Sequence, residues 1–468
     1  MNHRGRRVVG MLVLGASGIL AACENSVTKK LLEVTDPDVI DPSLVQSAEG
    51  ANAVRIGAIS RLRDATASSE SSWMFGGLLA DEWSTSSTFV QNDETDERAT
   101  SLSNSSVNGF LRNLSRVRTA SNQAIPLLKK YRPTPVSDLA EMYLVRGLAE
   151  LQLALDYCNG VPLSDAAGDT TVLGQPMKVI DVFNVAAASF DTAMQQSLAT
   201  DAATVIINRA ARIGRARALI GNGNANLSAA ATLVTAIPST FTYDETFSTT
   251  SGVGDNILWN QAVSQRRYTV GDSLEGNARN LLVKNAIPFF SAKDPRVPVS
   301  YTVSANGKDT TKSQDGFTFS RTTTLYARTT SVALANGIDA RLIEAEAALA
   351  AGNPAGMITF LNGLRAAPPA IGAVTPTAAQ LPPLVDPGTA ASRLDLLFRE
   401  KAFWTFARGQ RLGDMRRLIR QYGRTQDQVF PVGPHYRGGT YGTDVNLPVT
   451  NDESNGNPNF KGCLDRNA

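Results

Sequence analysis

The stretch SDLAEMYLVRGLAELQLALDYC, residues 137–158, constrains the fold more than any other part of the chain. Leu144, Leu148, Leu151 and Leu155 recur at helical spacing and share one face. Tyr143, Gly147 and Ala154 line an adjacent face, where small side chains let a second helix approach closely. Asp138 with Glu141 three residues on reads as an N-terminal cap pair, and Asn159-Gly160 followed by Pro162 reads as the stop.

The same grammar recurs. Residues 178–197 place Phe183, Ala187, Phe190 and Met194 on a stripe. Residues 215–238 and 341–366 each hold an Ala/Leu-rich run, a Gly-Asn turn and a second run. A single hairpin of this kind leaves an apolar face uncovered, so neighbours must stack. The pattern predicts a mainly α fold of tetratricopeptide-like helix hairpins. These helical units fall mainly in 108–238 and 336–424.

Between them the chain is polar and irregular. Residues 82–107 are rich in Ser, Thr, Asn and acids, and 239–335 alternate like short strands. Asn306-Gly307 and Asp315-Gly316 sit beside β-branched or aromatic residues and predict small β-hairpins. Residues 367–392 are Ala/Pro-rich and read as loop. Loops on a rigid helical scaffold are where binding concentrates, so 82–107 and 239–335 are the expected ligand-binding parts.

The N-terminus carries Arg4, Arg6 and Arg7, then a short apolar run from about Val8 to Leu20. This is the layout of a secretory signal and too short to span a bilayer. Leu20-Ala21-Ala22-Cys23 resembles the bacterial lipobox, against the alternative of an ordinary cleavage site. The resemblance implies a signal peptide at 1–22, acylation of Cys23 and a polar tether over 23–42, ahead of residues 43–468, whose length suits one large domain or two to three ordinary ones. Removing residues 1–22 takes three Arg and no acid, so a formal charge of +2 becomes −1. The basicity belongs to the leader, and no nucleic-acid partner is expected.

Two further cysteines remain, Cys158 and Cys463. In an exported protein they either pair or stay as separate buried thiols, and export favours the bridge. His435 is the one histidine beyond His3. Multi-His zinc sites are therefore unavailable, and no metal or cofactor is expected. His435 lies in a Gly/Pro-rich loop and reads as solvated.

Taken in order, several segments resemble SusD/RagB-type outer-membrane nutrient-binding lipoproteins. They are the lipobox, FGGLLADEW at 75–83 and AEMYLVRGLAELQLALDYCNGVPLS at 140–164. The series continues with IEAEAALAAGN to FLNGLRA within 343–366, LFREKAFWTFARGQRLGDMRRL at 397–418 and NLPVTNDESNGNPNF at 446–460. The resemblance implies a cell-surface protein held to the outer membrane by lipid. It implies a binder rather than an enzyme, one that captures oligosaccharides or peptides and passes them to a SusC-like TonB-dependent transporter.

Asp81, Trp83, Phe89, Asp93, Arg98, Trp259 and Tyr268 are the ligand-binding candidates. An aromatic ring on a loop stacks on a sugar's C–H face, and charged neighbours pair with hydroxyls. Trp73 belongs to the same aromatic set. Phe89 stands without any Trp between 84 and 100, which points away from starch-like specificity. The arginines from Arg408 to Arg424 read as structural, with Asp414 three residues from both Arg411 and Arg417. Trp404 and Phe406 read as core. Two alternatives remain: a secreted carboxylate-dependent glycan hydrolase using acids such as Asp81 and Asp93, and a helical-repeat scaffold for another protein.

Overall fold

The computed structural model describes residues 45–167, 170–250, 254–274, 281–301 and 311–468. The signal, lipobox and tether readings, and the Asn306-Gly307 turn, lie outside the described residues.

Helices dominate. They run α1 Ala48–Thr66, α2 Ser72–Leu79, α3 Val90–Asp96, α4 Ser105–Tyr131 and α5 Val136–Asp156, then α6 Val179–Gln196, α7 Ala202–Asn222 and α8 Leu227–Val234. After the irregular region come α9 Gly337–Ala350, α10 Pro354–Ala366, α11 Ala390–Trp404, α12 Arg411–Arg420 and the short α13 Asn451–Gly456. Consecutive helices pack as hairpins: α4 on α5, α5 on α6, α6 on α7, α7 on α8, and α9 on α10. Among the described residues no helix is long and apolar enough to cross a membrane.

The expected close approach is built by glycine. A Cβ at Gly147 of α5 would meet the Phe190 ring of α6 at 2.8 Å, and one at Gly214 of α7 would meet it at 2.3 Å. Phe190 is thus clamped between two glycine faces and fully buried. Local chemistry starts two of the later helices. Asn336 caps α9 in a reciprocal box with Asp339, and Asn353 caps α10 with Pro354 in the first turn.

Two end-effects of α5 differ from expectation. Asp138 and Glu141 do not cap it. Pro135 holds the cap position without a side-chain bond, while Asp138 pairs with Arg132 at 2.7 Å and Glu141 with Arg55. Nearby arginines outcompete the orphan amides for these carboxylates. The helix also ends at Asp156, before Asn159-Gly160. Tyr157 turns extended and bridges Leu447, and the Cys158 amide donates to the Leu447 carbonyl at 2.9 Å. Cys158 and Cys463 form a disulfide that ties this end to the C-terminal segment.

The strands are short antiparallel pairs. β1 Trp83–Thr85 pairs with β7 Tyr268–Val270, β6 Thr242–Glu245 with β10 Val332–Asn336, and β8 Val299–Tyr301 with β9 Arg321–Thr323. Two more pairs, β2 Val161–Pro162 with β5 Pro176–Met177 and β3 Asp165–Ala167 with β4 Thr170–Val172, follow α5. In the first pair Trp83 faces Val270 and Thr85 faces Tyr268. The Asp315-Gly316 turn closes a bridge between Lys312 and Phe319, as the turn pair predicts.

Ion pairs join helical and irregular parts. Arg411 grips Asp81 with two 2.7 Å bonds, Arg408 grips Asp339 at 2.8 and 3.0 Å, and Arg417 grips Glu346. Lys401 reaches Glu346 at 3.0 Å and Asp414 at 2.7 Å. Arg296 and Arg365 share Glu400. Burial opposes ionising Glu346, yet Arg417 and Lys401 hold its carboxyl well below the usual range. The arginine run is structural as expected, although Arg411 pairs with distant Asp81 rather than Asp414. Trp404 and Phe406 are fully buried.

Candidate functional site

Four segments converge at one surface: 86–93, 266–268, 312–319 and 435–441. Backbone bonds fix the meeting. The Ser86 amide donates to the Arg267 carbonyl at 2.9 Å, the Gln314 amide to the Arg266 carbonyl at 3.1 Å, and the Asp315 amide to the Ser86 carbonyl at 3.1 Å. Arg437 then ties the fourth segment in. It donates to the Ser87 carbonyl at 2.7 Å, and to Asp93 and Asp315 at 3.0 Å each.

Two phenyl rings stand on this scaffold. Phe89 is 44% exposed and Phe317 is 41% exposed. The Arg267 guanidinium lies 4.8 Å from the Phe89 ring centre, and Arg437 lies 5.2 Å from that of Phe317. Each pair stiffens an exposed ring through cation–π attraction, worth about 0.5–1 kcal/mol at such sites. The Gln314 side-chain oxygen lies 3.4 Å from the Thr88 amide and the Ser87 hydroxyl.

The four segments carry Arg266, Arg267, Lys312 and Arg437 against Asp93 and Asp315, so cations outnumber carboxylates in the site. Partial burial pushes the Asp93 carboxyl up to about 6, with Arg437 and the Thr85 hydroxyl opposing the shift. Burial also works against Arg437, but Tyr436, Asp93 and Asp315 hold it above the ordinary arginine range. The surface therefore offers flat rings, a fixed guanidinium and carboxylate oxygens. Such a set can hold a ligand with apolar faces and polar edges. Among the described residues no His, Cys, Asp and Glu cluster could hold a metal ion.

Several expected ligand residues are elsewhere. Trp83 and Tyr268 are buried, their rings 6.3 Å apart, with Trp83 4.9 Å from Phe406. Both lie on the paired β1 and β7 strands, which turn them into the core. Tyr268 donates to Glu70 and accepts from Asn92 at 2.8 Å. Arg98 is buried and donates to the Asp444 and Pro431 carbonyls at 2.8 and 2.7 Å. Asp81 is committed to Arg411, so the Asp81–Asp93 pair of the hydrolase alternative is not assembled. Trp73 donates to Gln152 at 2.9 Å inside the core. Trp259 is half-buried and stands by Arg328, which pairs with Asp255.

Two local readings change as well. The polar stretch 88–98 is not a plain loop but carries α3, because Thr85 of β1 draws two acids inward. Its amide donates to Asp96 at 2.8 Å and its hydroxyl to Asp93 at 3.0 Å. His435 is not solvated but fully buried, its ring 4.5 Å from Tyr436 and 5.0 Å from Tyr441, with Asp96 and Glu97 at its nitrogens. Phe317, Arg267, Gln314 and Arg437 were not singled out as ligand residues. The Asp315-Gly316 turn beside Phe317 is the sequence signal that points there.

The architecture is shared with solved structures along nearly its whole length. A SusD-like protein from Bacteroides fragilis NCTC 9343 matches 91% of this chain and 98% of its own, with a TM-score of 0.61 and 11% identity. A SusD/RagB family protein from Bacteroides thetaiotaomicron VPI-5482 matches 87% and 94%, with a TM-score of 0.60 and 12% identity. Surface glycan-binding protein A from Bacteroides uniformis matches 89% and 99%, with a TM-score of 0.57 and 13% identity. No family model and no curated protein matches the sequence. At these identities the likeness is one of fold, and the fold is SusD-like.

Proposed function

We propose that this chain is a SusD-type substrate-binding lipoprotein. Residues 1–22 act as its export signal, Cys23 carries its lipid, and 23–42 tether the domain over 43–468 to the outer surface of the outer membrane. It captures an oligosaccharide or a peptide and hands it to a SusC-like TonB-dependent transporter, without bond chemistry. Two or more acyl chains anchor such a protein stably where one does not.

The observation that carries the reading is the paired exposed rings, Phe89 and Phe317, each under an arginine, on converging loops of this fold. A phenyl ring offers less stacking area than an indole. The site therefore suits a short or loosely held ligand, released onward. Sugar C–H faces, or proline and aromatic side chains of a peptide, seat on the rings. Hydroxyls or backbone carbonyls seat on Arg437 and Arg267. The surface glycan-binding function named for the Bacteroides uniformis protein supports the glycan arm.

The test is a glycan and peptide array probed with protein lacking residues 1–23, beside mass measurement of the protein from its native host. The reading expects array binders, an acylated Cys23 and co-purification with a large outer-membrane barrel. A freely soluble, unacylated molecule that binds only another protein would favour the scaffold alternative.

A further inference from the structure

A cleft of about 440 Å³ opens between the β6–β10 ribbon, the start of α9 and the turn at 369–372. Its volume falls within the range of small-molecule sites, about 300–1,000 Å³. It shares no lining residue with the Phe89–Phe317 surface, so it stands or falls separately from the proposed function.

The cleft lining is part apolar and part polar. Phe241, Ile338 and Ile371 supply the apolar wall. Tyr326 also lines the cavity. It is only 3% exposed, and its hydroxyl has no hydrogen-bond partner among the described residues. The hydroxyl itself is not sealed from solvent, so it can donate to and accept from a guest in the cleft. Burial pushes the phenol above its usual range and keeps it neutral.

Charge narrows the guest. Arg408 lines the cleft, but its guanidinium is already engaged. Nε donates to the Ala333 carbonyl at 3.0 Å, Nη1 to Asn336 and Asp339 at 3.4 and 3.0 Å, and Nη2 to Asp339 at 2.8 Å. Asp339 neutralises it. The remaining charged group in the lining is Asp244, exposed at the rim and accepting from the Thr242 hydroxyl. An anion entering here meets a carboxylate and no free cation.

We propose that this cleft is a second ligand site, for a small neutral polyhydroxylated molecule of one or two sugar rings. Its apolar face rests on Phe241 and Ile371, and its hydroxyls bond Tyr326 and Asp244.

The experiment titrates the purified protein with maltose and cellobiose, and with glucuronate as the anionic control, read by calorimetry and ligand-observed NMR. Three variants accompany the natural chain: Tyr326→Phe, Ala370→Trp and the double variant Phe89→Ala/Phe317→Ala. Ala370 is exposed at the cleft rim, so the indole fills the cavity without entering the core. Tyr326→Phe keeps the ring, and circular dichroism checks that both cleft variants fold. The expected result is binding of at least one neutral disaccharide that weakens roughly tenfold in Tyr326→Phe, the scale of one lost hydrogen bond. Binding should vanish in Ala370→Trp and persist in the loop double variant, with glucuronate at least about tenfold weaker. Disaccharide binding lost in the loop variant but untouched by both cleft variants would overturn the second site and leave the first standing. Absence of any disaccharide binding, or equal affinity for glucuronate, would also overturn it.

Discussion

Two sets of arginines divide the molecule. Those of the α11–α12 joint, Arg408, Arg411 and Arg417, are buried and end on carboxylates of distant segments. Those of the loop convergence, Arg267 and Arg437, are half-buried and lie over rings that remain open to solvent. Arg437 stands between the two styles, since it also pairs with Asp93 and Asp315. The difference lies in what each guanidinium completes. In the joint it closes a network and leaves nothing to bind. At the surface it braces a flat ring and leaves the other face and a polar rim available.

The comparison breaks most readily at the joint. Asp81→Ala leaves Arg411 buried without its carboxylate, and the loss should be about 3–5 kcal/mol in chemical denaturation. A loss under about 1 kcal/mol would mean the joint is not held by charge.

A smaller effect tests the uncharged side of the same region. Burial pushes Glu82 up to about 8, opposed by the Ala407 amide that donates to it at 2.9 Å. The unfolded carboxyl ionises near 4.5, so between about 4.5 and 8 the folded chain binds more protons than the unfolded one. Stability should therefore fall as pH rises through that window, with this group contributing a slope approaching about 1.4 kcal/mol per pH unit. Glu82→Gln keeps the acceptor and should flatten its share of the slope, read from denaturation midpoints at pH 5, 6.5 and 8. An unchanged slope would mean Glu82 is ionised in the fold.

The smallest effect belongs to the surface. Phe89→Ala should cost about 0.5–1 kcal/mol of unfolding stability, the scale of its lost contact with Arg267. A thermal-scan loss several times larger would make Phe89 a structural residue and erase the contrast.

Much of the helical scaffold was legible in the sequence because its signals are local. The leucine spacing of residues 144–155, the Gly147 face and the Asn353-Pro354 start all lie within one or two turns of the residues they govern. The site was less legible because its parts come from four distant segments. Trp83 and Tyr268 look like loop aromatics until β1 pairs with β7 and turns both inward. Arg98 and Asp81 look like free charges until Asp444, Pro431 and Arg411 reach them across the chain. His435 reads as solvated because nothing near it in sequence shows that Asp96 and Glu97 will enclose it. Phe89 alone kept the exposure its loop position implied, and its partner ring, Phe317, was marked only by the adjacent turn.

The most direct measurement compares ligand affinity in the natural chain and in Phe89→Ala/Phe317→Ala, using the tightest ligand found on the array. The account predicts at least a tenfold loss of affinity with an unfolding midpoint lowered by no more than a few degrees. Equal affinity in the two proteins would move the principal site away from the loop convergence.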